Sequence, residues 1–355
     1  MKDRHERQVR RTRGNIAIMT AFLLIPMIGF AALAIDYGRL TLVQAELQNA
    51  ADAAALVGAS KLNPTPSGAS DPVWSLAEAA ARRAIGLNQA ERTTLTDASA
   101  TAGYWDITQS TKGLQSNAIT PGPNDKPAVQ VTAKRAASLN GGPVALLLAP
   151  LIGTNVADVG VVATAVLAPF GGARPGQVFP VAITKCLYEK YWDSTNNRPK
   201  LATSTQPLPG TAYPQVIGQP YEFRLGSSYH YDPCESGQWT SFLLDENDVP
   251  AIRGLIADGN PNPFGIGDNI WIEPGTKNTM FNEVPRKDVC LPVVISDDLS
   301  VKGEAPVSAF AAFRITDSVG GNSKYIQGHF LESVTCGGFG TGPSYGAYAP
   351  PRLSQ

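Results

Sequence analysis

An uninterrupted apolar segment near the N-terminus constrains this chain more than any other feature. Residues 16–35 carry no charged side chain, and only Thr20, Pro26 and Gly29 interrupt the run of large apolar residues. A helix of this length spans about 30 Å, at a rise of about 1.5 Å per residue, which matches the hydrocarbon thickness of a bilayer. The segment therefore predicts a single transmembrane helix, and the lipid bilayer is the first expected partner.

Basic residues on the N-terminal side of this segment set its expected orientation. The tail 1–15 is rich in lysine and arginine: Lys2, Arg4, Arg7, Arg10, Arg11 and Arg13. Anionic lipids and the membrane potential keep such a cluster on the cytoplasmic side. We therefore expect a single-pass protein with a cytoplasmic tail (1–15), a transmembrane helix (16–35) and an exported region beyond it.

A cleaved signal peptide is the alternative interpretation of the same segment. Ala32, Leu33 and Ala34 form the A-x-A pattern of a cleavage site. The apolar run is longer than the usual core of about 7–15 residues, and helix-forming residues continue past Ala34. We therefore favour a retained anchor, which a mature chain beginning at Ile35 would contradict.

The residues after the membrane segment are predicted to extend the same helix. Residues 36–63 are dominated by alanine, leucine, glutamine and glutamate, and Pro64 then stops the helix. Apolar side chains at spacings of three and four form a narrow seam along one face. The seam consists of Leu40, Val43, Leu47, Ala50, Ala54 and Val57. It packs either on the chain's own globular domain, which the periodicity alone favours, or on other subunits, including further copies of the chain.

The order of residues along this helix points to a known family. The most specific strings run from Ala34 to Arg39 (AIDYGR) and from Glu46 to Leu56 (ELQNAADAAAL). With them, the stretch from Gly14 to Ala59 resembles the N-terminal module of Tad/Flp pilus-assembly proteins of the TadE/TadG type. The motif residues are Asp36, Tyr37, Gln48, Asn49 and Asp52. The C-terminal half is more loosely similar to the extracytoplasmic region of such proteins, for example at residues 267–272 (GDNIWI).

This resemblance implies a part in building or anchoring an adhesive pilus across a bacterial envelope. It implies an inner-membrane location with the C-terminal region in the periplasm, other Tad/Flp pilus-assembly proteins as partners, no enzymatic activity and no cofactor. One position departs from the pattern of processed pilins, which carry a Glu five residues after the cleaved Gly, because Met19 stands there relative to Gly14. We therefore favour a permanently anchored docking protein, and keep a minor pilin-like subunit of the fibre as the alternative.

The exported region is predicted to begin with a small α+β unit over 72–170. A second alanine-rich helix is expected over 73–88, with Asp71 as its N-cap and Pro72 at its first position. Alternating apolar and polar residues predict a half-buried strand over 128–134, and further strands are expected over 100–107 and 156–167. The apolar run 144–152 is predicted to be a short buried helix.

Beyond a glycine-rich boundary the pattern becomes one of short strands. Strands are predicted at 178–184, 221–225, 269–272, 291–296, 305–316 and 325–331. A mainly antiparallel β domain over 175–337 is expected, followed by a loosely ordered tail over 338–355. The predicted fold class is thus α+β: a long N-terminal transmembrane helix with a periplasmic extension, a small α+β unit, and a mainly antiparallel β domain.

The cysteines fit an exported domain with disulfides. Cys186, Cys234, Cys290 and Cys336 are an even number of well-separated residues, all beyond the membrane segment. Their spacing allows three pairings. We expect the sequential pairs, because each pair is flanked by strand-like runs, and four buried free thiols are the alternative.

Composition and motifs exclude several classes of function. The chain carries 29 basic and 30 acidic residues, and this overall balance gives no electrostatic footprint for nucleic acid, so no nucleic-acid partner is expected. It contains no HExxH or P-loop string. His230 and His329 have no metal-site spacing, so no catalytic residue, metal site or cofactor is predicted. An exported ligand-binding module or hydrolase remains as the third alternative.

Overall fold

The structure is a computed structural model that describes residues 2–63, 72–208, 213–226, 233–235, 237–275, 279–296 and 298–354. The side chains of residues 2–17, 25, 110, 151, 152 and 233 are outside this description. The predicted linker 64–71, with the Asp71 cap, and His230 lie outside the described residues. The predicted fold class is confirmed, because one long apolar helix precedes a region of mainly antiparallel sheet.

One continuous helix, α1 (Lys2–Ala59), forms the N-terminal part of the molecule. In its first half the described apolar side chains are bare; Phe22 and Phe30 are each 74% exposed. From Ile18 onward the helix is long enough and apolar enough to cross a membrane. Its second half is amphipathic and packs against the rest of the chain. One continuous helix therefore has an exposed apolar first half and a second half that packs into a folded unit.

The first folded unit surrounds the second half of α1. Its helix α2 is Trp74–Ile85. Its strands are β1 (Gln89–Ala90), β2 (Thr93–Thr94), β3 (Ala98–Asp106), β4 (Leu114–Gln115), β5 (Asp125–Arg135), β6 (Val144–Ala145), β7 (Val156–Ala157) and β8 (Val159–Val166). The antiparallel order β4–β3–β5–β8 presents one face to α1 and α2. Along β5, Val129 and Val131 are buried while Gln130 is half-exposed, which is the alternation that predicted this strand.

The second unit is built on a seven-stranded sheet. Its helices are α3 (Lys185–Tyr191) and α4 (Val249–Asp258). Its strands are β9 (Gly172–Ala173), β10 (Val181–Thr184), β11 (Trp192–Asp193), β12 (Arg198–Pro199), β13 (Phe223–Gly226), β14 (Gly237–Phe242), β15 (Phe264–Gly265), β16 (Asn269–Ile272), β17 (Asp288–Val294), β18 (Gly303–Val319), β19 (Tyr325–Phe330) and β20 (Val334–Thr335). The main order is β13–β19–β18–β16–β14–β10–β17.

A second pairing of β17 curls this sheet. Besides its parallel pairing with β10, β17 pairs antiparallel with β18 over Asp288–Val294. The strands β18, β16, β14, β10 and β17 therefore close into a ring. Closure removes free strand edges, which otherwise invite pairing with other chains. The predicted mainly antiparallel β domain is thus built on a small barrel-like sheet, a closure that the short strands alone did not specify.

Two local predictions in the first unit are corrected. The helix α2 begins at Trp74, with Val73 at the N-cap position and Pro72 before it, so Pro72 is not the first helical residue. The run 144–152 is not one buried helix, because Val144–Ala145 pairs with β7 and only Ala149–Ile152 is helical, as a short 3-10 turn. The turn ends at Gly153, whose φ of 91° ordinary residues avoid.

The segment 338–355 was expected to be a loosely ordered tail, and the structure corrects this prediction. The segment contains β21 (Gly338–Phe339), β22 (Ala347–Tyr348) and β23 (Arg352–Leu353). The last of these pairs with β8, as the outer strand of the first unit's sheet, and Tyr348 is buried beside that unit's core. The tail is ordered because a distant strand edge receives it, and its composition of small residues and proline carries no sign of that pairing.

Candidate docking site on the long helix

The predicted apolar seam of α1 lies mainly in the chain's own core. Its residues Val43, Leu47, Ala50 and Ala54 are buried in one cluster with side chains of α2, β5 and β8. Leu40 is half-buried against that cluster, whereas Val57 is 42% exposed. Of the two interpretations of the seam, packing on the chain's own domain is therefore the one present in the structure.

The small residues of α1 allow this close packing. A Cβ atom added at Gly58 would lie 2.9 Å from the Cβ of Ala81 and 3.0 Å from the carbonyl oxygen of Ala77. The two helices therefore meet with almost no side chain between them at this point. Small residues on α1 leave room for a neighbour at this point, and α2 is the element that occupies it.

The motif residue Asp36 fastens a distant loop to α1. Its carboxylate accepts hydrogen bonds from the backbone N–H groups of Leu147 at 2.7 Å, Leu148 at 3.0 Å and Ala149 at 2.7 Å. The side chain is only 4% exposed. Three N–H donors converging on one carboxylate make a charge-assisted anchor between the helix and the loop.

The same contacts keep this carboxyl group ionised. Burial by itself raises the pKa of Asp36, but the three backbone hydrogen bonds and the nearby charge of Arg39 together bring the pKa below its usual value. A carboxyl whose pKa is lower in the folded state stabilises the fold above its unfolded pKa of about 3.9. We therefore expect the ionised Asp36 carboxylate to stabilise the fold at neutral pH. This stabilisation should be lost as the pH falls through the lower pKa of the folded state.

We expect the substitution Asp36→Asn to release the loop. The amide keeps the shape but loses the charge that strengthens the three hydrogen bonds. Amide hydrogen exchange at residues 147–149 should accelerate by about tenfold or more at neutral pH, measured by mass spectrometry. The matched control is Asp52→Asn on the same helix, where the carboxylate accepts from the Gln48 side chain at 2.7 Å and from neither β6 nor β7. Equal exchange in both variants would contradict the anchoring role.

A charged network holds the helix next to Asp36, beginning three residues further along α1. Glu91 binds Arg39 of α1 and, at 3.3 Å, Arg135 of β5, and its backbone N–H donates to the Glu46 carboxylate at 2.6 Å. Glu91 stands at a positive φ of 50° in the two-residue turn between β1 and β2. Sequence analysis did not identify Glu91 or Arg135, because no local pattern links positions so far apart in the chain.

The other motif residues lie toward solvent. Tyr37 is 71% exposed, Asn49 is exposed, and Gln48 and Asp52 are half-buried and bonded to each other. One stripe of the helix surface remains uncovered by the described residues. This open face consists of Leu42, Ala45, Asn49 and Ala53, which recur at spacings of three and four.

The structure brings the expected cysteine pairs to disulfide distance. Cys186 and Cys234 have Cα atoms 5.1 Å apart and join α3 to the 3-10 turn Pro233–Glu235. Cys290 and Cys336 have Cα atoms 6.4 Å apart and join β17 to the segment after β20. Both separations lie in the usual disulfide range. The two bonds close loops of similar length, so each constrains the unfolded chain.

Removing one disulfide tests both pairing and stability. The double substitution Cys186→Ser with Cys234→Ser should lower the free energy of unfolding by about 2–4 kcal/mol, because it frees a loop of 48 residues. Urea unfolding of the full-length protein in detergent measures this change. Non-reducing peptide mapping of the unsubstituted protein provides the direct check, and a peptide linking Cys186 to Cys290 or Cys336 would contradict the pairing.

Among the described residues, the histidine and acidic side chains form no second candidate site. His329 lies half-buried in β19, and burial lowers its pKa. Its possible partner His230 lies outside the described residues. Within the part of the chain that the structure describes, no group of three or more His, Cys, Asp or Glu side chains is arranged to hold a metal ion.

Comparison with known families matches residues 14–165, which is less than half of the chain. Residues 14–61 match the family of Flp pilus-assembly TadE/G-like proteins. Residues 43–165 match the family of Tad-like Flp pilus-assembly proteins. This matched segment begins within α1 and ends within β8. The resemblance recognised in the helix sequence is thereby confirmed, and both families are components of pilus assembly rather than enzymes. Neither a curated protein nor a solved structure matches the chain.

Proposed function

We propose, on the premise that residues 14–165 are Tad/Flp pilus-assembly sequence, that this chain is a membrane-anchored structural protein of Tad/Flp-type pilus assembly. The tail 1–15 lies in the cytoplasm and 16–35 spans the inner membrane. The unit over 72–170 and the β domain over 175–337 then stand in the periplasm. There the protein docks other pilus-assembly components and performs no catalysis.

The continuity of α1 is the observation that carries this proposal. The helix is apolar and mostly exposed in the half that would cross the bilayer, and it is buried in a folded core in the other half. Asp36 and Arg39 fasten the folded unit close to the point where the apolar half ends. A load applied to the periplasmic unit would therefore pass directly into the membrane helix, as an anchoring protein requires.

The packing of the seam favours an anchored component over a fibre subunit. A pilin-like subunit packs its helix stem against neighbouring stems, and here the chain's own sheet and α2 cover the seam. The open face around Asn49 stays available for a partner from the same assembly system.

A genetic experiment tests the proposal. Deletion of the gene should abolish surface pili and surface attachment, and the full-length protein should restore both. The variant Asn49→Arg with Ala53→Arg should fail to restore pili while the protein still fractionates with the inner membrane, because two large charges block the open face. Val216→Arg, at a site 65% exposed in the second unit, is the matched control and should restore pili.

Two outcomes would overturn the proposal. Normal pili in the deletion strain would remove any role in assembly. Recovery of the protein from sheared pili, with a mature N-terminus after Gly14, would instead establish the minor pilin-like subunit.

A further inference from the structure

An apolar loop of the first unit lies alongside the membrane half of α1. The hairpin tip, residues 146–152 between β6 and β7, contains three leucines, an alanine, a proline, a fourth leucine and an isoleucine, with no charged residue. Leu148 and Ala149 line an apolar groove of about 290 Å³ together with residues of α1: Pro26, Gly29, Phe30, Ala32 and Leu33. The tip therefore contacts the helix on the N-terminal side of Asp36.

The position of this contact along α1 gives its depth. Phe30 and Pro26 precede Asp36 by six and ten residues, or about 9 and 15 Å along the helix axis. If the membrane segment ends at Ile35, this stretch lies within the hydrocarbon of the distal leaflet. Ala32 is only 9% exposed, unlike the bare side chains around it such as Leu33, because the tip covers it.

The N–H groups of residues 146–149 in the tip all have acceptors within the protein. The N–H of Leu146 donates to the carbonyl of Asn155, and the N–H groups of residues 147–149 donate to Asp36. Pro150 has no N–H, and the N–H groups of Gly153 and Thr154 donate to the carbonyls of Pro150 and Ala149. Backbone at membrane depth must meet this condition, because lipid offers no hydrogen-bond partner.

The outer side of the tip remains uncovered by the described residues. Leu147 is 60% exposed and points away from the folded unit's core. An exposed leucine at the end of an uncharged loop is unfavourable in water but favourable in lipid. Phe30 and Leu33 on the neighbouring helix are exposed as well, and they line the groove beside the tip.

We propose that the hairpin tip inserts into the distal leaflet of the bilayer beside α1, where lipid acyl chains cover Leu147. Two elements of the protein then contact the bilayer, the spanning helix α1 and the inserted hairpin tip. Two contacts fix the tilt and rotation of the periplasmic unit relative to the membrane, which a single helix leaves free. This inference rests on the proposed anchoring function, since it requires α1 to span the bilayer.

Spin labelling of the full-length protein in lipid nanodiscs tests the insertion. Single cysteines are introduced by Leu147→Cys, Phe22→Cys or Val301→Cys and labelled without reductant, so that the native pairs stay closed. Collision rates with oxygen, which concentrates in lipid, and with a water-soluble nickel complex are then compared. Phe22 reports the spanning helix, and Val301, 71% exposed in the second unit, reports the aqueous phase.

The expected result is that oxygen collisions exceed nickel collisions at Leu147 and Phe22, with the ratio inverted at Val301. Dominant nickel collisions at Leu147, with oxygen dominant at Phe22, would overturn the insertion and leave the anchor intact. Low collision rates with both reagents at Leu147 would also overturn it, because a protein surface rather than lipid then covers the tip. Dominant nickel collisions at Phe22 would overturn the anchor and the insertion together.

Discussion

The substitution Leu47→Ala should lower the free energy of unfolding of the first unit by about 3–5 kcal/mol. Leu47 is fully buried where α1 packs on α2 and the sheet. Its neighbours on these elements are mostly alanine and valine, which are too small to fill the space that the leucine leaves. The cavity therefore stays open, and its cost adds to the lost transfer free energy of the side chain.

The matched control for this prediction is on the same helix. Leu42 is 60% exposed, so Leu42→Ala should change the free energy of unfolding by about 0.5 kcal/mol or less. Urea unfolding of the full-length protein in detergent measures both variants through tryptophan fluorescence, because Trp74 and Trp105 lie in this unit. Equal effects of the two substitutions would mean that the seam is not the packing face of the helix.

The substitution Gly328→Ala should destabilise the second unit by about 4 kcal/mol or more. Gly328 lies in β19 between Phe223 of β13 and Ile315 of β18. A Cβ atom there would overlap the carbonyl oxygen of Arg314 and lie 2.7 Å from the Phe313 ring. The carbonyl belongs to a strand paired on both sides, so the backbone cannot move away without breaking ladder hydrogen bonds.

Gly303→Ala is the control for the effect of alanine itself. Gly303 begins β18 and has no atom within 4 Å of an added Cβ, so its substitution should change stability by about 0.5 kcal/mol or less. Near-ultraviolet circular dichroism during urea unfolding measures the two variants in the full-length protein. A stable Gly328→Ala protein would show that β19 does not lie against β18 in this register.

Local patterns in the sequence were sufficient for several elements. The uncharged run 16–35 identified the apolar helix because lipid-compatible composition needs no knowledge of the rest of the chain. The spacing of Val43, Leu47 and Ala50 identified the buried face of α1, because helical periodicity records burial directly. The strand Asn269–Ile272 was predicted at its observed bounds, and alternation identified most of β5.

Other elements escaped sequence analysis because their order depends on partners elsewhere. The strand β14 (Gly237–Phe242) has no alternation, since all of its residues are buried between β10 and β16. The last strand, β23, is two residues long and exists because β8 offers it an edge. Neither the burial of β14 nor the pairing of β23 can be predicted from the residues of that strand alone.

Asp36 illustrates the difference between what the sequence determines and what only the tertiary structure determines. The sequence by itself marked it as a motif residue at the end of an apolar helix, and determined the helix, its buried face and the resemblance of its residues to a known family. Only the tertiary structure decided what Asp36 holds, because its three N–H donors lie 111 to 113 residues away along the chain. Hydropathy and periodicity report the environment of a residue, whereas the identity of its partners depends on the path of the folded chain.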